Sequence, residues 1–398
     1  ASIYDGRLDS VWRYVPWPSA GDDTLAWLKS ALVSGEIIRG DFLYDGVLID
    51  APNRPPNTMQ MNFVVNNGVL AYAPEWPKLT QLNANIGLYN RSLTIEANNS
   101  QVYQTIIRHV KADIPELNHP QLHINADLDS TGEDILRLFK ETPLKNDAGR
   151  VADLLTIRGE VAGSLNLDMP LASNSINDDI KINVTAELPG NPIILRQASD
   201  FDLWLSGNVN YQTGFGLTSQ PLRGFFLGQP VSVKMLSVLN SGEVAAVQIQ
   251  ANGQLTPTNL KPWLGDLTQS MVGFTEYKAV LTVPITNEPV HLSLDSDLVG
   301  WSINLPEPLA KKNEATLFHF EMELESEREQ NAYFNLGSRL QSVFAVQKGK
   351  ITRGLVQLGQ QQGLGDMPKQ GLWVNGHLSS LNIDDWLPWL RPQASNVQ

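Results

Sequence analysis

Apolar and polar residues alternate along most of this chain with a period of two, the mark of strands that bury one face. Val161, Leu165, Leu167 and Met169 alternate with Ala162, Ser164, Asn166 and Asp168, and Ile180, Ile182, Val184, Ala186 and Leu188 obey the same rule. So do Phe201, Leu203, Leu205, Val209 and Tyr211, then Val247, Ile249 and Ala251, then Tyr277, Ala279, Leu281, Val283 and Ile285. Val290, Leu292 and Leu294 continue it, followed by Phe318, Phe320, Met322 and Leu324, whose strand carries Glu321, Glu323, Glu325 and Glu327 on its wet face. Upstream, strands are predicted over Glu36–Gly40, Phe42–Ile49, Gln60–Val65, Val69–Ala73, Leu82–Leu88, Ser92–Ala97 and Gln121–Leu128. Asn66-Asn67-Gly68 and Asn98-Asn99-Ser100 read as the turns between them.

Helical patterning is sparse. Asp22 or Asp23 caps a helix running to about Leu32 and stopped by Gly35. Ser130-Thr131-Gly132-Glu133-Asp134 forms a capping box for a second, which closes at Thr142-Pro143. A third surrounds Trp263, with Pro262 in its first turn, and a fourth surrounds Trp386. These helices mark a repeat. The stretch Gly253–Leu267 recurs as Gly376–Leu390 with Gly, Leu, Asn, Trp and Leu at the same offsets, a period of 123 residues. Ala126–Leu128 with Ile135–Phe139 is a weaker copy, and Trp27-Leu28 a trace of another. The division expected is 1–145, 146–268 and 269–398, as units of one continuous domain.

So few short helices cannot cover the apolar faces of so many strands. Either the sheet folds onto itself as a sandwich or solenoid, or it curls into a trough with an oily floor. Mid-strand Gly163, Gly207, Gly253 and Gly376 fit strong curvature, because glycine relieves crowding on a concave side.

Composition narrows the chemistry. The chain is 42% hydrophobic and 18% charged, ample for a core and light on surface charge. A formal charge of −13 repels phosphate backbones, so nucleic acid is not an expected partner. Without cysteine there is no disulfide or thiolate chemistry. Uninterrupted apolar runs such as Val244–Val247 and Val343–Val346 fall far below the roughly 20 residues of a membrane helix. The amino terminus lacks signal-peptide shape, as expected of a mature chain or a piece of a longer one.

Candidate catalytic and metal residues are weak. His119 and His123 have helical metal-pair spacing, but Pro120 and strand-like neighbours remove the helix. Asp178-Asp179 sits at a strand start and Asp384-Asp385 in a helical first turn, where acids favour the dipole; a carbohydrate-active enzyme would need one such pair. Gly214-Phe215-Gly216 is a turn, and Lys311-Lys312 reads as a solvated loop. The Trp263 and Trp386 helices read as end plugs or packing braces. No catalytic residue, metal or cofactor is expected.

The stretch Ser296–Lys311, with Gly300-Trp301 and Leu305-Pro306-Glu307-Pro308-Leu309, resembles a signature of the YhdP branch of the AsmA-like proteins. Trp27-Leu28 through Gly35 to Gly46, Gly68–Leu79 with Tyr72, Pro74, Trp76 and Pro77, Ala112–Leu117 through Pro120–Leu122, and Leu136–Phe139 with Thr142–Leu144 resemble the same branch in the same order. The resemblance covers roughly residues 23–311, and the rest mainly through its repeat ending. It implies an elongated, curved antiparallel sheet forming an open hydrophobic groove, with short helices at repeat junctions. It also implies a periplasmic part of a Gram-negative inner-membrane protein, whose N-terminal anchor is missing here. Such a protein would carry phospholipid toward the outer membrane, its docking partner there unspecified.

The physics of a groove agrees. An acyl chain of about sixteen carbons faces a barrier of about 12 kcal/mol on entering water, at ~0.8 kcal/mol per CH₂. A continuous apolar floor removes most of it while headgroups stay wet. Some twenty strands stacked at ~4.8 Å extend on the order of 100 Å. The floor residues expected are Leu165, Leu167, Ile182, Val184, Leu203, Leu205, Ile249, Leu281, Val283, Leu292 and Leu294, and a charge at Leu205 or Leu281 should block transport without unfolding. A self-packed scaffold or adhesion module of the envelope is the alternative.

Overall fold

The computed structural model describes residues 1–13, 22–46, 57–171, 180–196, 198–324, 329–347, 350–359, 363–378, 380 and 382–390. The fold is mainly β. Among the described residues, twenty-three strands belong to one hydrogen-bonded sheet, and Met271–Gly273 pairs with Trp301–Ile303 in a separate ribbon. Pairing is antiparallel throughout the registers given below, except that Lys350–Leu358 and Gly371–Gly376 run parallel. The chain forms two compact units. One comprises 1–196, 205–220 and 236–245; the other comprises 197–204, 221–235 and 246–398.

In the first unit, Ser2–Arg7, Leu32–Asp45, Thr58–Leu70, Leu79–Tyr89, Ser92–Asn98, Thr105–Ile114, Gln121–Thr131, Glu160–Pro170 and Lys181–Leu195 pair in that order. Asn66-Asn67-Gly68, expected to be a hairpin turn, instead lies inside the strand Thr58–Leu70. It forms an irregularity between Val65 and Gly68, with Asn67 at φ 48°. The alternation flanking it is real, but an inserted bulge bends a strand without ending it. Gly35 likewise sits within Leu32–Asp45, beside another set of register shifts, and the helix ends earlier, at Ala31. The strand Thr105–Ile114 escaped the sequence reading because a shift between Arg108 and Lys111 breaks its alternation.

The helix at Gly132–Glu141 starts where its capping box predicts, the Asp134 amide donating to Thr131 Oγ1 at 3.2 Å. A second helix, Lys145–Leu154, packs beside it and was not legible in the pattern. It is pinned by Tyr211, whose hydroxyl donates to Asp147 at 2.6 Å while its ring meets Phe139 edge-on at 5.5 Å. Burial and that carboxylate raise the Tyr211 pKa, so the phenol stays a donor.

In the second unit, Glu243–Leu255, Thr275–Pro284, Val290–Ser296, Phe318–Leu324, Gln330–Leu336, Leu340–Gln347, Lys350–Leu358 and Gly371–Gly376 pair successively. The Trp263 helix spans Pro257–Leu264, so Pro257 holds the first turn and Pro262 lies near the end, contrary to expectation. The repeated asparagine is a capping residue in both copies. Asn259 Oδ1 accepts from the Thr256 amide at 2.9 Å, and Asn382 Oδ1 accepts from the Asp384 amide at 3.2 Å. No helix among the described residues is long and apolar enough to cross a membrane.

Glycines on the apolar face are roofed by aromatic rings of the directly paired strand. Gly40 pairs with Phe63, Gly253 with Tyr277 and Gly354 with Phe344. A Cβ at these glycines would lie 2.9 Å from Phe63 Cδ1, 2.9 Å from Tyr277 Oη and 2.5 Å from Phe344 Cδ1. The ring replaces the missing side chain and lets the backbone bend. Gly354→Ala should therefore cost about 1–3 kcal/mol by overpacking. Thermal unfolding will read that loss, and adding Phe344→Leu should recover part of it. An unchanged midpoint in the single variant would remove the ring from this role.

Candidate lipid-binding surface

Strand register assembles apolar residues far apart in sequence into continuous rows. In the first unit one row runs Ile3, Gly40, Phe63, Ile86, Ile95, Ala112, Ile124, Leu167, Ile182. Buried rows flank it on the same face. Ile37, Val65, Ala84 and Ala97 lie to one side, and Met61, Leu88 and Ile114 to the other. Phe63, Ile86, Ile95, Ile124 and Leu167 in the middle are only half-buried. The facing row on the other side of the sheet, Asn85, Glu96, Lys111, Asn125, Asn166 and Asn183, is exposed throughout.

The second unit also assembles apolar rows. Ile249, Leu281, Leu292, Met322, Ala332, Phe344, Gly354 and Leu372 form one row. Ala279, Leu294, Phe320, Phe334, Ser342, Val356 and Val374 form the next. Phe334 is the hub of an aromatic group, with ring centroids 4.9 Å from Phe320, 5.6 Å from Phe344 and 6.5 Å from Phe318. All four rings keep solvent-accessible surface. The row between them on the opposite face runs Val280, Ser293, Glu321, Tyr333, Val343, Leu355 and Trp373, with Val343 and Leu355 buried, and charge gathers one row further out at Lys278, Asp295 and His319. His319 Nδ1 meets Asp295 Oδ1 at 2.7 Å, and that hydrogen bond raises the imidazole pKa against the opposing effect of burial.

Register pairs Leu165 with Val184 and Leu167 with Ile182, and places Ile249, Leu281 and Leu292 in one row with Leu294 in the next. Val283 pairs with Val247 one row further out. Exposure separates the candidates. Ile182, Leu205 and Val283 are buried, at 6%, 5% and 1%. The other eight, Leu203 among them, are half-buried. Leu205 is thus a core position, and a charge there would unfold the protein instead of only blocking a path. Phe63, Ile86, Ile95, Phe320, Phe334 and Phe344 belong to the same rows. Their alternation was visible, but which strands neighbour one another is a tertiary fact.

The other candidates resolve differently. His123 lies on the strand Gln121–Thr131 with Nδ1 2.5 Å from Asp168 Oδ1, while the His119 amide closes a turn on Glu116. Asp178 and Asp179 fall outside the described residues. Asp384 and Asp385 occupy a helical first turn. Phe215 sits in a turn, its amide donating to Gln212 at 3.0 Å.

Lys311 overturns the solvated-loop expectation. Lys312 is exposed, but Lys311 is only 2% exposed. Its ammonium donates to the carbonyls of Leu298 at 2.8 Å, Trp301 at 2.6 Å, Lys312 at 2.9 Å and Glu314 at 2.8 Å. Desolvation lowers its pKa, opposed by the charges of Glu314 and Asp297. The side chain is a tethered cation around which the loop 297–314 is wrapped.

The Trp386 indole then donates to the Glu307 carbonyl in that loop at 3.1 Å.

The family model of the YhdP protein matches residues 1–397. The chain belongs to the YhdP family. The stretch Ser296–Lys311, where the sequence resemblance was read, lies in the loop organised by Lys311. The intermembrane phospholipid transporter YhdP of Escherichia coli strain K12 is 26% identical over 316 residues, covering 78% of this chain and 24% of that relative. The chain therefore spans about a quarter of the relative's length. No solved structure matches it.

Proposed function

We propose that in each unit the half-buried apolar rows are a groove floor along which phospholipid acyl chains move between the inner and outer membranes. The observation that carries this reading is the pairing of an apolar row, Phe63 to Leu167, half-buried except at Ala112, with a fully wet row on the opposite face. Apolar surface of that length is costly to leave in water and marks a binding face. Membership of the YhdP family and the transporter relative support the same cargo. The sequence repeats follow the divisions 1–145, 146–268 and 269–398, each ending in a short helix. Chemistry is not required: a headgroup stays in water above the floor, and binding and sliding suffice. The location that goes with this reading is the periplasm, with the membrane anchor supplied by another part of the protein.

Purified protein should carry phospholipid, released by organic extraction and seen as adducts in native mass spectrometry. A preparation that stays free of lipid after incubation with phospholipid vesicles would favour a self-packed scaffold instead.

A further inference from the structure

A cavity of about 350 Å³ lies in the first unit, lined by Gln81, Asn99, Gln101, Gln104, Ile106 and Arg108. Register sets its middle on the wet face. Gln101 pairs with Thr80 and with Ile106, and Ile106 pairs with Asp129. The adjoining residue Ile107 pairs with Leu128, on the apolar side of the same strands. Four of the lining side chains are carboxamides. Gln81 Nε2 donates to Gln101 Oε1 at 2.6 Å, which commits one donor and one acceptor of that pair. Among the described residues the side chains of Asn99 and Gln104 have no hydrogen-bond partner.

The walls of this cavity are held in place. Gln81 and Asn99 have left-handed backbone, with φ 54° and 60°, a conformation that re-aims a side chain out of strand alternation at a cost to any residue with a Cβ. The Gln104 amide donates to Asp134 at 2.8 Å, and Asp134 is buried at the start of the helix Gly132–Glu141. Tyr103, the preceding residue, donates its hydroxyl to Glu141 at 2.8 Å, with the Arg137 guanidinium 3.8 Å over its ring. The helix thereby fixes the turn that carries Gln104. A polar cavity of this size with fixed walls falls in the range of small-ligand sites.

We propose that this cavity binds a neutral, hydroxyl-rich sugar unit, on the face of the sheet opposite the apolar rows. A carboxamide offers two donors and an acceptor, and a sugar hydroxyl both donates and accepts, so the two chemistries match. Half-buried Ile106 supplies an apolar patch for the C–H face of a sugar ring. An anion fits less well. Arg108 already meets Asp129 at 2.6 Å and pairs in register with Asp127, so a phosphate would have to displace one carboxylate beside another. The site is independent of the groove reading, because it uses the other face. The test titrates the whole chain with maltotriose and with tri-N-acetylglucosamine by calorimetry. One of them should bind with a Kd of about 1 mM or tighter. Gln104→Ala and Gln81→Gly should each weaken that binding roughly fivefold, the factor that one net hydrogen bond is worth. Glycine suits the φ of Gln81, so that variant should unfold no earlier than wild type. Should it fold poorly, Gln104→Ala decides. Asn125→Ala, on the wet face outside the cavity, should bind as wild type. Failure of both sugars to bind, or binding unchanged in Gln104→Ala, overturns the site. Inorganic phosphate bound more tightly than either sugar, and lost in Arg108→Gln, overturns the sugar in favour of an anion.

Discussion

Leu281→Glu is expected to cut phospholipid transfer roughly a hundredfold while the protein stays folded. Leu281 stands between Ile249 and Leu292 in the central row of the second unit and is half-buried. A carboxylate there remains hydrated while the floor is empty, so folding loses little. An arriving acyl chain must then strip its water, and a charge in a hydrocarbon setting costs about 3 kcal/mol. The matching change in the first unit, Leu167→Glu, should behave alike, whereas Asn166→Glu on the wet face should transfer normally. Vesicle-to-vesicle transfer measured beside circular dichroism separates the two effects. Leu205→Glu is expected to fail differently, by loss of the folded state, because that side chain is 5% exposed. Normal transfer in a folded Leu281→Glu protein would remove this row from the lipid path.

Lys311→Met is expected to destabilise the second unit by about 3 kcal/mol, because four carbonyls lose one shared donor inside the protein. Methionine matches the length of the stem but removes the ammonium from the oxygens of Leu298, Trp301, Lys312 and Glu314, of which Leu298 keeps the Trp301 amide at 3.2 Å. Arginine should not rescue, since a planar guanidinium cannot fill a site shaped around a compact ammonium. Urea unfolding followed by tryptophan emission will read the loss. Because Glu307 belongs to the same loop, the hydrogen bond from Trp386 should weaken with it. A Lys311→Met protein as stable as wild type would show that the cage is dispensable.

Much of the chain's design was legible in one dimension. Strict alternation identified the strands and their apolar sides, and the Thr131 capping box placed a helix start. The recurrence of Gly253–Leu267 at Gly376–Leu390 located two of the tryptophan helices. These features are local, governed by the pleat of a strand and the orphan amides of a helix. Where inserted residues disturbed the period, at Asn66–Gly68 and near His109, the reading lost the strand or cut it in two, because a bulge and a turn use the same residues.

Exposure was another matter. Ile182 and Leu167 are both aliphatic and alternate correctly, and they are direct neighbours in the sheet, yet one is buried and the other only half-buried. Likewise Lys311 and Lys312 differ in nothing the sequence displays, while one is caged by carbonyls and the other is wet. The sequence by itself determined which residues face the oily side of each strand, since that depends only on parity. Which of them remain uncovered only the tertiary structure decided. Burial depends on how strands bend and what returns over them, and those are contacts between residues distant along the chain.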